Sequence, residues 1–176
     1  MNTKRTDGKK IAERIVFTVL TLAFMLLIFS FSAQNADQSN ASGGRVTGLL
    51  QRIFFPAYSE LPAAEYEIFI GKLTYLVRKV AHFSEYLVLG LLLSRTLKAY
   101  GISYGKRIIF GILIALLYAV LDECHQLFVP GRSGAFFDVL VDTAGAVNGV
   151  LLMTGLSAIR DANRLVKRAP DGSGAS

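Results

Sequence analysis

Acidic and imidazole side chains recur at helical spacing in three apolar parts of this sequence. The pairs, three or four positions apart, are His82 with Glu85, Asp122 with His125, and Asp138 with Asp142. Residues at these separations share one face of an α-helix. Side chains of these types hold metal ions, transfer protons or bind polar ligands. The sequence therefore predicts three polar helical faces that could act together.

Metal binding is one hypothesis for these faces. Two imidazoles with several carboxylates form a nitrogen and oxygen ligand set that suits Zn, Mn or Fe. The Asp122 to His125 spacing is that of the Glu-x-x-His pairs in bundle di-metal sites, and His82 to Glu85 reverses it. A divalent metal would draw its ligands from His82, Glu85, Asp122, His125, Asp138 and Asp142. Proton transfer by either histidine beside a carboxylate is a second hypothesis.

A purely structural role is the third interpretation, because buried ions in membrane proteins often pair. The available cations are Arg78, Lys79 and Arg132, which would face five carboxylates. Some carboxylates would then be protonated or bound to something else. This surplus favours a binding site.

The elements that carry these residues are predicted to be membrane spans. The chain has 176 residues, of which 52% are hydrophobic, more than a soluble domain of this size needs. Its net charge of +6 comes from basic residues that flank apolar segments, which argues against a nucleic-acid partner. Four segments could each cross roughly 30 Å of hydrocarbon: Ile15–Ser32, Val80–Leu97, Ile108–Phe128 and Ala135–Leu156. We expect an all-α integral membrane bundle of four transmembrane helices.

Basic residues before the first span, between the second and third spans, and after the fourth predict that both termini are cytoplasmic. Residues 1–14 form a basic N-terminus, residues 15–157 form the membrane domain with an outer loop at 34–78, and residues 158–176 form a basic, partly disordered tail. Periodic apolar residues in the loop predict one or two amphipathic helices. A cleaved signal peptide is an alternative interpretation of the first span.

The chain direction through these spans places all three polar faces near the outer side. Because charges facing lipid are disfavoured, the faces are expected to turn toward one another and enclose a polar pocket open to the outside. The expected pocket residues are Lys79, His82, Glu85, Tyr86, Asp122, Glu123, His125, Gln126, Arg132, Asp138 and Asp142.

Three runs of sequence also resemble a known family. They are KVAHFSEYLVLG from Lys79, YAVLDECHQLFVPGR from Tyr118 and DVLVDTAG from Asp138, within a match that extends to about Gly149. In this order and at these intervals they are similar to the VanZ-like family, and Ser32 and Gln34 also resemble its pattern. The resemblance implies a small multi-pass protein of the bacterial cytoplasmic membrane. The family's named member is linked to teicoplanin resistance without remodelling of peptidoglycan precursors.

Two functions are therefore expected. In the first, the pocket binds a cell-surface amphiphile and reduces susceptibility to teicoplanin-type glycopeptides. Arg132 and Lys79 would then hold an anionic head group, and the partners would be membrane lipid with a lipid-linked envelope intermediate or a lipoglycopeptide. In the second, the protein is a membrane-embedded and metal-dependent enzyme that acts on a lipid-linked cell-envelope intermediate.

Overall fold

The computed structural model describes residues 2–131 and 135–167, without the side chains of residues 2–6, 36–40 and 42. Within these ranges the chain forms five α-helices: α1 (Asn2–Ser32), α2 (Ala36–Phe54), α3 (Ala63–Ala99), α4 (Tyr104–Gln126) and α5 (Phe136–Val166). A short 3-10 helix, Pro56–Glu60, connects α2 to α3. The predicted pocket residue Arg132 and the last part of the predicted tail, 168–176, lie outside the described residues.

Three of the described helices are long and apolar enough to cross a membrane. They contain the segments Asp7–Ser32, Tyr104–Gln126 and Phe136–Val166. The all-α prediction is confirmed, and the first, third and fourth expected spans each fall on one of these helices. The second expected span, Val80–Leu97, lies within α3, which does not meet the same criterion.

Close packing of α3 against α5 is the centre of the bundle. A Cβ atom added at Gly145 or Gly149 of α5 would overlap the backbone carbonyls of Phe83 and Leu87, and one at Gly90 of α3 would overlap the carbonyl of Ala146. These glycines therefore let the two backbones approach as closely as the Gly145-x-x-x-Gly149 spacing predicts.

The contacts along α3 and α5 run in register. Lys79 pairs with Asp138 at one end and Lys98 pairs with Asp161 at the other, and about one turn before Lys98 the Ser94 hydroxyl lies 2.8 Å from that of Thr154. Residue numbers rise together in these contacts, so α3 and α5 are parallel.

Helices α1 and α4 pack on this pair and run in the opposite direction. The Thr21 hydroxyl of α1 lies 2.8 Å from the Thr96 hydroxyl of α3, and the Tyr118 hydroxyl of α4 donates to the Met25 carbonyl of α1. A core of Ile28, Tyr86, Leu89, Leu93, Ala115, Ala119, Val139 and Ala146 fills the space between the helices. The ends of α1 and α4 therefore meet the beginning of α5 at one end of the bundle.

Helix α2 covers part of that end. Its buried side chains are Thr47 and Gln51, at 1% and 5% exposure, while its apolar side chains Val46, Leu49 and Ile53 remain 48% to 60% exposed. The predicted apolar face of the loop helix is therefore not the face that packs on the bundle.

The close α3–α5 contact can be tested by adding a side chain to it. Gly149→Val should lower the free energy of unfolding by about 1–3 kcal/mol, because the branched side chain would collide with the α3 backbone. Gly155→Val on the same helix is the control, since no atom lies within 4 Å of a Cβ there. Unfolding in mixed micelles with increasing dodecyl sulfate measures both; equal stability of the two variants would contradict the packing.

Candidate functional site

A histidine and an aspartate meet where α3 crosses the first turns of α5. The Nδ1 atom of His82 lies 3.3 Å from Oδ1 of Asp142, whose side chain is completely buried. The glycine contacts next to this pair hold the two backbones together, so neither side chain needs to extend far. A carboxylate beside Nδ1 orients the imidazole and leaves Nε2 as the ring nitrogen that can reach a ligand.

A second buried carboxylate connects α4 to the end of α1. The Ser32 hydroxyl donates a 2.7 Å hydrogen bond to Oδ2 of Asp122. The Gln126 amide, one helical turn away, lies 3.4 Å from the same carboxylate oxygen and 3.5 Å from the serine oxygen. These three side chains are each at most 5% exposed. Ser32, Asp122 and Gln126, together with His82 and Asp142, form a polar cluster at this end of the bundle. Ser32 was not among the expected pocket residues.

Two further carboxylates tie the beginning of α5 to its neighbours. Oε2 of Glu123 accepts a 2.8 Å hydrogen bond from the backbone N–H of Ala135, just before the first turn of α5. Asp138 is paired with Lys79, whose ammonium also lies 4.9 Å from the Tyr75 ring centroid. Lys79 therefore has a carboxylate partner already, which weakens its expected role as the holder of an anionic head group.

Several buried polar atoms at this end have no hydrogen-bond partner among the described residues. They include the Tyr86 hydroxyl, Nδ1 of His82, Oδ1 of Asp122, Oε1 of Glu123, both carboxylate oxygens of Asp142 and Nε2 of His125. Most of these atoms are acceptors, and leaving a buried acceptor unpaired costs about 1–3 kcal/mol. The cluster is therefore suited to hydrogen-bond donors or to a positive charge.

The two histidines occupy different surroundings. His82 contacts Asp142, whereas the His125 ring stacks on Phe29 of α1 with the centroids 4.5 Å apart. The sequence grouped His125 with Asp122 by spacing alone, and the structure directs the imidazole toward α1 instead. Cys124, between the two acidic residues and His125, is exposed.

A cavity of about 320 Å³ opens beside the cluster, between the end of α1, α2 and residues 74–85 of α3. Of the expected pocket residues that the structure describes, only His82 and Glu85 lie on its wall. The remaining lining residues are Phe31, Ser32, Gln34, Gly43, Val46, Thr74, Val77, Arg78 and Ala81. Ser32 and His82 belong to both the cavity and the cluster, so they connect the cavity floor to Asp122 and Asp142.

The sequence signal for this cavity was weak. Ser32 and Gln34 were singled out only by the family resemblance, and the α2 residues carry no charge pattern. These residues line one cavity because α2 packs over α3, a contact between segments that the sequence pattern does not predict.

The described residues do not favour a metal centre. Among them, no three His, Cys, Asp or Glu side chains are grouped so that they could hold a metal ion. The expected ligands instead divide into the His82–Asp142 contact, the hydrogen-bonded Asp122, the Asp138–Lys79 pair and the stacked His125. The six-residue metal site therefore remains a prediction, and the positions of the described side chains do not support it.

Together, the apolar helices and the buried polar cluster define a small α-helical protein of the membrane type. The chain matches the VanZ/LLP1 family over residues 17–158, which include about half of α1, all of α2, α3 and α4, and most of α5. It belongs to that family, as the sequence resemblance predicted. No curated protein and no solved structure matches the chain.

The Ser32–Asp122 hydrogen bond can be tested against a neighbouring serine. Ser32→Ala should lower the free energy of unfolding by about 1–3 kcal/mol, because it removes a donor from a buried carboxylate. Ser30→Ala is the control: its hydroxyl is exposed and bonds only to Leu27 of its own helix. Both are measured by unfolding in mixed micelles. A loss in Ser30→Ala as large as that in Ser32→Ala would contradict this assignment.

Proposed function

We propose that this protein crosses the bacterial cytoplasmic membrane four times and that α3 is the additional span. Helix α3 contacts α5 from Lys79 to Lys98, a helix length of about 28 Å, which is close to the thickness of the hydrocarbon layer. His82 and Ser94, which lower the hydropathy of α3, contact α5 and need not face lipid. A helix that accompanies a span over this length shares its depth in the membrane.

The basic residues support an orientation with both termini in the cytoplasm. Arg14, Arg95 and Lys98 lie together at the end of the bundle opposite the polar cluster, where the Arg14 guanidinium donates to the Ala99 carbonyl. With this end inside, the cavity bounded by α1, α2 and α3 opens to the outer surface. The exposed apolar side of α2 would then lie in the lipid head-group region on the outer side of the cytoplasmic membrane.

This orientation can be tested by cysteine labelling. In a Cys124→Ala background, Ala41→Cys in α2 should react with a membrane-impermeant maleimide in intact cells. Arg164→Cys near the end of α5 should react only after the cells are permeabilised. Labelling of both positions in intact cells, or of neither after permeabilisation, would contradict the proposed topology.

The outward cavity is proposed to bind an amphiphile. The observation that carries this function is the shared floor, where Ser32 and His82 line the cavity and also contact the buried carboxylates of Asp122 and Asp142. Unpaired acceptors in the cluster favour a head group with hydrogen-bond donors or a positive charge. Phe31, Val46 and Val77 supply an apolar wall for the attached chain.

A lipid-linked envelope intermediate and a lipoglycopeptide are the two ligand classes that fit. Each joins a polar, hydrogen-bonding group to a long apolar chain, which matches a polar floor beside an apolar wall. Retention of such a molecule at the outer surface would reduce susceptibility to teicoplanin-type glycopeptides.

Acid–base catalysis on a bound envelope intermediate is the second candidate. The contact of His82 with Asp142 favours it, because a carboxylate beside Nδ1 stabilises the protonated imidazole that a general base becomes. His82 reaches the cavity wall, so a proton could pass between its ring and a ligand. This candidate uses no metal, in agreement with the grouping of the described side chains.

Filling the cavity should abolish function while the fold is kept. Gly43 lines the cavity, and a Cβ there would meet only the Thr74 methyl carbon at 3.9 Å, so Gly43→Phe can place its ring in the cavity. Gly44→Phe is the matched control, since Gly44 is exposed with no atom within 4 Å of an added Cβ. Both changes remove a glycine from α2 and therefore alter helix propensity equally.

The measurement is the minimal inhibitory concentration of teicoplanin in a strain without other members of this family. Expression of the wild type and of Gly44→Phe should raise it, and Gly43→Phe should leave it at the level of the empty strain with equal protein in the membrane. If Gly43→Phe protects as well as the wild type, the cavity is not the site. Recovery of chemically altered lipid intermediates, dependent on His82, would favour the enzymatic candidate over binding.

A further inference from the structure

Arg107, a buried arginine at the opposite end of the bundle, interacts with the Tyr104 side chain but forms no ion pair with a carboxylate among the described residues. Arg107 is 2% exposed, and its Nε and Nη1 atoms make no hydrogen bond among the described residues. Lys79, His82, Arg95 and Lys98, in contrast, each lie within 4 Å of a carboxylate oxygen. A buried guanidinium with unpaired N–H groups is costly, so this position calls for an anion.

The arginine side chain is directed toward the beginning of α4. Arg107 lies in the first turn of that helix, and helical side chains point toward the N-terminus. Its guanidinium carbon lies 4.2 Å from the centroid of the Tyr104 ring, which belongs to the first residue of α4. The charge is therefore held next to the N-terminal end of the helix.

The end of α4 itself attracts negative charge. The first N–H groups of an α-helix have no partner within the helix, and the helix dipole is positive there. The Ser103 side chain makes no capping hydrogen bond, and the first turn contains no acidic residue. No atom lies within 4 Å of a Cβ added at Gly105, so the approach to the backbone is open. The N-terminal end of this 23-residue helix and the unpaired Nε and Nη1 atoms of the buried Arg107 therefore both favour an anion at the same position.

Within the part of the chain that the structure describes, the carboxylate of Asp161 contacts this region and already has two hydrogen-bond donors. Asp161 accepts hydrogen bonds from Lys98 at 3.1 Å and from the Tyr104 hydroxyl at 2.6 Å. It holds the exposed Tyr104 ring across the Arg107 guanidinium and does not neutralise Arg107. Rotation of Tyr104 would give an anion access to the arginine.

We propose that Arg107 and the N-terminal end of α4 form a phosphate-binding site, separate from the outward cavity. A guanidinium offers paired N–H groups that match two phosphate oxygens, and backbone N–H groups at a helix N-terminus bind phosphate. The site lies at the end of an apolar helix, the level at which lipid phosphates are found. The phosphate is carried by an acidic phospholipid or is free in solution.

The test titrates the full-length detergent-purified protein with short-chain phosphatidylglycerol and counts bound lipid by native mass spectrometry. Phosphatidylcholine, whose phosphate is balanced by choline, is the comparison. The wild type should bind one phosphatidylglycerol saturably and more tightly than phosphatidylcholine. Arg107→Gln should weaken phosphatidylglycerol binding about tenfold or more.

The matched control is Lys106→Gln, an exposed neighbour with the same change in charge, which should alter the affinity by no more than about twofold. Equal weakening by the two variants would show general surface attraction and overturn the proposal. Arg107→Lys, which retains the positive charge, should still weaken binding because it loses the paired N–H groups.

Inorganic phosphate added as a competitor distinguishes the two sources. Displacement of phosphatidylglycerol by millimolar phosphate would show that the free ion suffices, and failure to displace it would assign the site to the lipid. Either result supports the site, provided that the difference depends on Arg107. Absence of saturable phosphatidylglycerol binding by the wild type, together with no phosphate effect on its thermal stability, would overturn it.

Discussion

The close approach of α3 and α5 positions every other part of the bundle. Three glycines, Gly90, Gly145 and Gly149, bring the two backbones together where any larger side chain would overlap a carbonyl group. Because the helices are parallel and this close, His82 reaches Asp142 and Lys79 reaches Asp138 without stretched side chains. The same contact carries α3, with its polar residues, alongside an apolar helix and so explains how they can be sheltered from lipid.

The polar cluster is held by helix contacts and remains unsatisfied. Ser32 and Gln126 meet one oxygen of Asp122, and the first turn of α5 meets one oxygen of Glu123, while the other oxygens of both carboxylates have no partner. A cluster needed only for stability would be expected to pair these oxygens, since unpaired buried acceptors are destabilising. Its connection to a cavity through Ser32 and His82 supports a ligand instead.

The two ends of the bundle differ in the charge of the ligand that each would attract. The end near α2 contains buried acceptors and suits a donor or a cation, while the end near the beginning of α4 contains a buried guanidinium and suits an anion. In a membrane these ends face different surfaces. The two ends are thus chemically different, in keeping with the proposed outward binding site and the proposed inward contact with phosphate.

The sequence by itself determined the helical class, three of the apolar spans, the family and the level of the polar residues. These properties depend on local composition and on a period of 3.6 residues, both of which are read along one segment at a time. It also indicated the close helix contact, because Gly145 and Gly149 lie one turn apart after the aspartates. Only the tertiary structure decided which side chains meet. It paired Lys79 with Asp138, stacked His125 on Phe29, placed the cavity under α2 and buried Arg107, which the sequence had treated as one of several basic residues flanking a span. Such contacts depend on how each helix is rotated about its axis and on which neighbour covers it, and these are set by packing between distant segments.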